Sequence, residues 1–271
     1  MTTDARTGHQ QLTLLLVGVP MLFATVGCSI AGTSARVGEL RTKSESVELG
    51  DGQSVQVEIN MAAGELMISG GVDELLQADF TYNVDELEPE VNYSGGTLVV
   101  RTPEASIGAG SLLGLAGYQY KWDLRFNEGV PMDMKLQVAA GRADLNLGSL
   151  SVTSLDVETG ASEVKVDLSG STSLTRLDVE AGLGLIVVDL SGGWQHDLDA
   201  KINSGVGELT LRLPREVCAR VDVEGGLSNI STTGLAQEDN VYVNEACGEA
   251  GVTLRIEIDA GIGGVNLEVE G

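Results

Sequence analysis

In the stretch Leu155-Asp-Val-Glu-Thr-Gly160-Ala-Ser-Glu-Val164-Lys-Val166, apolar and polar residues alternate, a run of small residues intervenes, and the alternation resumes. With Gly160 as anchor, the apolar positions fall five and three residues before it and four and six after it. The frame recurs around Gly141 (Leu136, Val138, Leu145, Leu147), Gly182 (Leu177, Val179, Ile186, Val188), Gly205 (Ala200, Ile202, Leu209, Leu211) and Gly261 (Ile256, Ile258, Val265, Leu267). Gly226 fits it except at Thr232, and an early copy surrounds Ala62 with Val57, Ile59, Leu66 and Ile68. Period-two alternation on both sides of a small-residue turn predicts two short strands, each burying one face. Glycine at the anchor supplies the positive φ that a tight bend between them requires.

The anchors 141, 160, 182, 205 and 226 lie 19, 22, 23 and 21 residues apart. Units of about 20 residues that cannot bury their own face predict a stacked array. The expected fold class is therefore all-β: a β-solenoid, a β-helix-like stack of ~20-residue two-strand rungs. An antiparallel sandwich would also give many short strands with glycine turns, but it does not demand the same four apolar slots in every unit.

Composition bounds the function. The 271 residues are 42% hydrophobic and only 4% aromatic, with 36 glycines, which suits stacked rows of Val, Leu and Ile joined by turns. A net charge of −24 disfavours nucleic acid, whose binding depends on basic groups that displace counterions, and also docking on anionic lipid.

Residues 1–11 are polar, and Leu12 to Val26 form an apolar run that ends in Gly27-Cys28. That run is shorter than the ~20 residues of a spanning helix, so residues 1–28 read as an export signal. Gly27-Cys28 resembles the end of a lipoprotein signal, with Cys28 as the lipidation site; ordinary cleavage and an uncleaved anchor are the alternatives. Residues 29–46 read as a flexible tether to the membrane. Two cysteines remain, Cys218 and Cys247, an even pair in an exported chain and a candidate disulfide. The alternative is two unpaired, buried thiols. The folded part divides into an N-terminal portion, 47–128, and the repeats, 129–271.

Catalytic signals are absent. The two histidines are His9, inside the signal, and His196, alone beside Asp197 in a loop and read as solvated. No nucleophile elbow, phosphate loop or metalloprotease motif occurs. The acidic residues are ordered, however: Asp156, Asp178, Asp222 and Glu257 stand four before their anchors, and Glu158, Glu180, Glu224 and Asp259 two before. Stacked at ~4.8 Å, like charges destabilise a sheet, so a compensating charge is required. Calcium is one candidate, as a cation ladder; a solubilising face that prevents lateral association is the simpler reading. Lys201, between Asp178 and Asp222 in the sequence frame, offers one internal counter-charge. No other cofactor is implied. The apolar stretch Pro103–Lys121 reads as a surface loop folded back on the body, or as an exposed patch that meets a partner or a bilayer, with Leu112, Leu113 and Leu115, Trp122 and Trp194 as candidate partner contacts. For Trp194, capping of a core edge is the simpler reading.

Val55-Gln-Val-Glu-Ile-Asn-Met-Ala-Ala-Gly64-Glu-Leu, Phe80-Thr-Tyr-Asn-Val84, Trp122-Asp-Leu-Arg and the Leu-Asp-Val-Glu-x-Gly repeats together resemble the bacterial toast-rack family. That family comprises extracytoplasmic modules grouped with the LiaF-like C-terminal domain and with surface adhesins. The resemblance runs from about residue 47 to the end, and its motifs are structural. It implies a right-handed β-solenoid at the cell envelope and no catalytic residues; some members take part in envelope-stress signalling. The chain departs from the family in the Pro103–Lys121 insertion and lacks the multiple spanning helices of the signalling members. The expectation is a non-enzymatic, exported, lipid-anchored interaction or sensing module, partnered by an envelope membrane protein or a surface glycan. A surface adhesin is the second reading and a polysaccharide-active β-helix enzyme the third.

Overall fold

The computed structural model describes residues 36–50, 52, 54–103, 112, 114–248 and 251–270. Within them the chain forms β1 (Arg41–Val47), β2 (Val55–Gly70), β3 (Leu76–Tyr82), β4 (Glu90–Ser94), β5 (Thr97–Arg101), β6 (Tyr120–Phe126) and β7 (Met132–Asn146). It continues with β8 (Val152–Asp167), β9 (Arg176–Asp189), β10 (Leu198–Pro214), β11 (Cys218–Thr233), β12 (Ala236–Glu238), β13 (Val241–Val243) and β14 (Thr253–Glu270). A single 3-10 turn, Asp85–Leu87, is the helical element described in a segment of its own. All strands join one open sheet in the order β1-β3-β6-β2-β7-β8-β9-β10-β14-β11-β13-β12, with β5 also on β2 and β4 on β5. The protein is all-β.

Each repeat is one long bent strand rather than two separate ones, because the parallel ladder runs through the bend. β8, for example, pairs with β9 from Ser154↔Arg176 to Asp167↔Asp189. Leu155, Val157, Val164 and Val166 are nonetheless all buried. Val157 and Val164 are an odd number of residues apart, so the inward face switches parity at the bend. Stacking then aligns each buried slot with its neighbours. Leu155, Leu177 and Ala200 form one row, and Val164, Ile186 and Leu209 another. Full burial of each Val, Leu or Ile in such rows contributes about 1.5–3 kcal/mol.

The anchors need correction in two respects. Ala140 pairs with Ala161 and Val138 with Thr159, so the residue opposite Gly160 is Ala139, not Gly141. The true slots of β7 are Met134, Leu136, Ala143 and Leu145, two residues upstream of the expected frame. Second, the positive φ does not sit at the anchor. In β2, β7, β9, β10 and β14 it sits two residues later, as at Gly207, where φ is 148° and a Cβ would lie 1.7 Å from the Gly184 carbonyl oxygen, and in β11 it sits at Gly225, one residue before the anchor. The anchor glycines inside the stack, Gly226 excepted, answer to close approach alone: a Cβ on Gly205 would lie 2.4 Å from the Gly182 oxygen.

Two further expectations fail. β1 (Arg41–Val47), of which all but Val47 was assigned to the tether, pairs antiparallel with β3 over Arg41↔Tyr82 to Val47↔Leu76. Its side chains are exposed or half-buried, so it lacks the apolar period that marks a strand in sequence. And the repeats do not stack in chain order: β14 lies between β10 and β11.

Candidate functional site

The bends of six neighbouring strands line up to make an open furrow of about 1130 Å³. Its floor is the anchor column of Ala62, Ala139, Gly160, Gly182, Gly205 and Gly261, mostly backbone because the glycines leave no side chain there. One wall is the column two residues earlier: Asn60, Gln137, Glu158, Glu180, Asn203 and Asp259. At ~4.8 Å per strand, five steps give a furrow about 24 Å long. Leu87, Thr102 and Pro103 close it at the β2 end. There the Ala62 N–H donates to Thr102 Oγ1 (3.2 Å) and the Tyr120 hydroxyl to the Leu87 carbonyl (2.7 Å). Burial pushes the Tyr120 hydroxyl pKa up, so it stays a donor.

The expected acidic residues do form columns, in spatial order Asp156, Asp178, Lys201, Glu257, Asp222 and Glu158, Glu180, Asn203, Asp259, Glu224. Lys201 therefore stands between Asp178 and Glu257, not Asp222, because β14 intervenes. The register also brings in Lys135 at the head of the first column. Lys135 Nζ lies 2.7 Å from Glu158 Oε1 and 3.5 Å from Asp156, and Gln137 Nε2 donates to Glu158 Oε2 at 2.6 Å. The bond from Lys135, seconded by Gln137, holds the Glu158 carboxyl below the ordinary glutamate range. That direction is opposite to what a general acid working at neutral pH needs. Among the described residues, no three Asp, Glu, His or Cys side chains converge in a way that could hold a metal ion. Lys135, Gln137, Lys201 and Asn203 thus stand among the acidic residues of the two columns and separate some of the like charges.

The remaining predicted residues are placed as follows. Cys28 and Leu113 lie outside the described residues. Cys218 and Cys247 are joined in a disulfide that ties the start of β11 to the segment after β13. Beside it, buried Asn244 receives the Ala219 N–H at Oδ1 (3.1 Å) and donates to the Pro214 and Val217 carbonyls (2.8 and 2.7 Å). Leu112 and Trp122 are fully buried core residues, and Leu115 packs against that core. Trp122 meets Phe80 edge-on with centroids 5.5 Å apart. Trp194 is buried and its Nε1–H donates to the Leu190 carbonyl at 2.7 Å. His196 is exposed, and the Asp197 carboxylate beside it in sequence serves β14 instead. It accepts the Thr253 N–H (3.0 Å) and pairs with Arg255 (2.8 Å). The Thr253 bond, then Arg255, holds Asp197 below the usual aspartate range.

Two features escaped the sequence. A smaller hollow of about 470 Å³ lies over Gly64 and Gly141, between Tyr118 and Arg142. On the outer side of the bend, Leu183, Val206 and Ile262 stand in one column, 53%, 45% and 56% exposed. Their common position, one residue after each anchor, was a readable signal.

The family model described as "N-terminal domain of toast_rack, DUF2154" matches residues 36–173 and 170–212. No curated protein matches the sequence. Among solved structures, a putative cell adhesion protein from Clostridium sporogenes is 24% identical over 86% of this chain and 100% of its own, with a TM-score of 0.64. A putative adhesin from Bacteroides fragilis is 11% identical over 84% of this chain and 97% of its own, with a TM-score of 0.36. The first shares the fold; the second is too distant in structure to support any argument.

Proposed function

This chain belongs to the toast-rack family, and from that premise we propose that it is a non-enzymatic, exported interaction module of the bacterial envelope. The observation that carries the reading is the furrow. It offers amides and carboxylates at a regular repeat along a glycine-lined floor spanning six strands, an arrangement suited to holding an extended ligand by many weak polar contacts. In this reading the chain is tethered through lipidated Cys28, winds as a right-handed β-solenoid of about 20-residue rungs, and meets an envelope membrane protein whose state it senses. The alternative is an adhesin that grips a surface glycan, a reading favoured by the name of the Clostridium sporogenes neighbour.

In-cell photo-crosslinking of the full chain tests this. A crosslinker at Asn203, on the furrow wall, is expected to capture a specific membrane protein or a glycan, while one at exposed Lys165 captures neither. E180K/N203K should abolish capture with the fold intact. Equal capture from both positions, or capture indifferent to E180K/N203K, overturns the furrow as the site. A glycan adduct selects the adhesin reading. Retention of C28A in the membrane fraction would refute the lipid anchor.

A further inference from the structure

A sheet edge is a row of unpaired N–H and C=O groups, and proteins guard such edges with charge or brevity. Three edges here are guarded. β1 carries Arg41, Lys43 and Glu45 in ion pairs, Arg41 to Asp85 at 2.9 Å and Lys43 to Glu45 at 2.8 Å. β4 carries Glu90, bonded to Arg101 at 2.8 Å. β12 is three residues long and ends in Glu238. β11 differs. β13 and the residues flanking it cover its outer edge from Ala219 to Val223, and among the described residues no strand pairs with the outer edge of 226–233. That segment, Gly-Leu-Ser-Asn-Ile-Ser-Thr-Thr, has no charged residue and no proline, in a chain of net charge −24.

The apolar interior also runs out there. Ala143, Val164, Ile186, Leu209 and Val265 form one buried row, and its next member is Ile230, which is only partly buried. A further strand would continue the ladder and cover that side chain.

We propose that the partner is a second copy of this chain, paired antiparallel through 227–233 about a two-fold axis at Ile230. Head-to-tail stacking would set this neutral edge against the charged edges of β1 or β4, whereas a two-fold contact needs only the edge itself and closes on itself. With the axis at Ile230, faces are preserved: Ile230 meets its own counterpart and Asn229 meets the counterpart of Ser231. The like charge of the two bodies does not forbid the contact. Neutral edge residues keep the charges apart, and salt screens them beyond about 8 Å.

Light scattering and sedimentation of the full chain in neutral detergent test this. The wild type is expected at twice the mass of the chain. N229D/S231D sets acid against acid across the axis and is expected to give the monomer. N229K/S231D sets cation against anion and is expected to remain dimeric. A variant that unfolds would lose its circular dichroism in both cases, so the contrast between the two separates pairing from folding. A wild type that is monomeric at every concentration overturns the proposal, as does identical behaviour of the two variants. Crosslinking from Ser231 to a foreign strand would replace the second copy with a different partner.

Discussion

Gly205 and Gly226 hold the same place in the repeat, yet they should respond differently to a methyl group. A Cβ on Gly205 would lie 2.4 Å from the Gly182 carbonyl oxygen, below the 3.0 Å that real Cβ atoms respect. The obstacle is backbone, held on both sides: β10 pairs with β9 and with β14 along its length. Relief requires β9 and β10 to part, weakening several ladder bonds at about 1 kcal/mol each and adding an overpacking cost of about 1–3 kcal/mol. We expect G205A to lose about 2–4 kcal/mol. On Gly226 the nearest atom to a Cβ is the Gly261 oxygen at 3.8 Å, ordinary contact. G226A should be neutral or stabilise by about 0.4–1 kcal/mol through the unfolded chain. G207A, with φ at 148° and 1.7 Å of room, should be worse than either. Urea titration followed by fluorescence reads the order, because both tryptophans, Trp122 and Trp194, are buried. With a slope of about 2–3 kcal/mol/M, G205A moves the midpoint down by about 1 M. Equal midpoints for G205A and G226A would refute the stacking register.

Reduction of Cys218–Cys247, which lie 29 residues apart, should cost about 3–4 kcal/mol by loop entropy and release the β12–β13 region first, as amide exchange would report. N244A strands the Ala219 N–H and two carbonyls, so we expect a loss of about 1–3 kcal/mol or more in urea titration. Glu158 has a folded pKa below its ordinary 4.5, so its contribution is present above that value and lost as pH falls through the lower folded pKa. E158Q should therefore flatten the acid limb of a stability-against-pH curve; an unchanged limb would dismiss the Lys135 pairing.

The apolar slots were legible because buried alternation is written directly in Leu155, Val157, Val164 and Val166. The exact register of β7 was not. A two-residue slip preserves every face of a strand, and Leu136, Val138, Leu145 and Leu147 mimic the true set in which Ala143 is the weakest member. That slip also hid the furrow wall, since it put Ala139 where Gln137 belongs. β1 was invisible because its partner β3 supplies hydrogen bonds without demanding burial. The disulfide, by contrast, was among the pairings that cysteine counting allowed. The apolar loop residue Leu112 could not be told from a partner contact, because composition does not reveal which way a side chain turns.

The misread strand order has a cause that the sequence does contain. The 21-residue spacing from Gly205 to Gly226 is as good as that of true neighbours, so spacing alone would place β11 on β10. Thr232 decides otherwise. In the slot between β10 and the next strand, the structure has Leu267, fully buried. A threonine there would bury a hydroxyl at a cost of about 1–3 kcal/mol if unpaired, whereas at the edge Thr232 is exposed and costs nothing. β14, with Ile256, Ile258, Val265 and Leu267 all apolar, is the strand fit to be covered on both sides. Asp197 reinforces the choice by accepting the Thr253 N–H and holding Arg255. The single polar slot in the repeat frame thus marks the strand that ends the stack, and with it the edge left open for another chain.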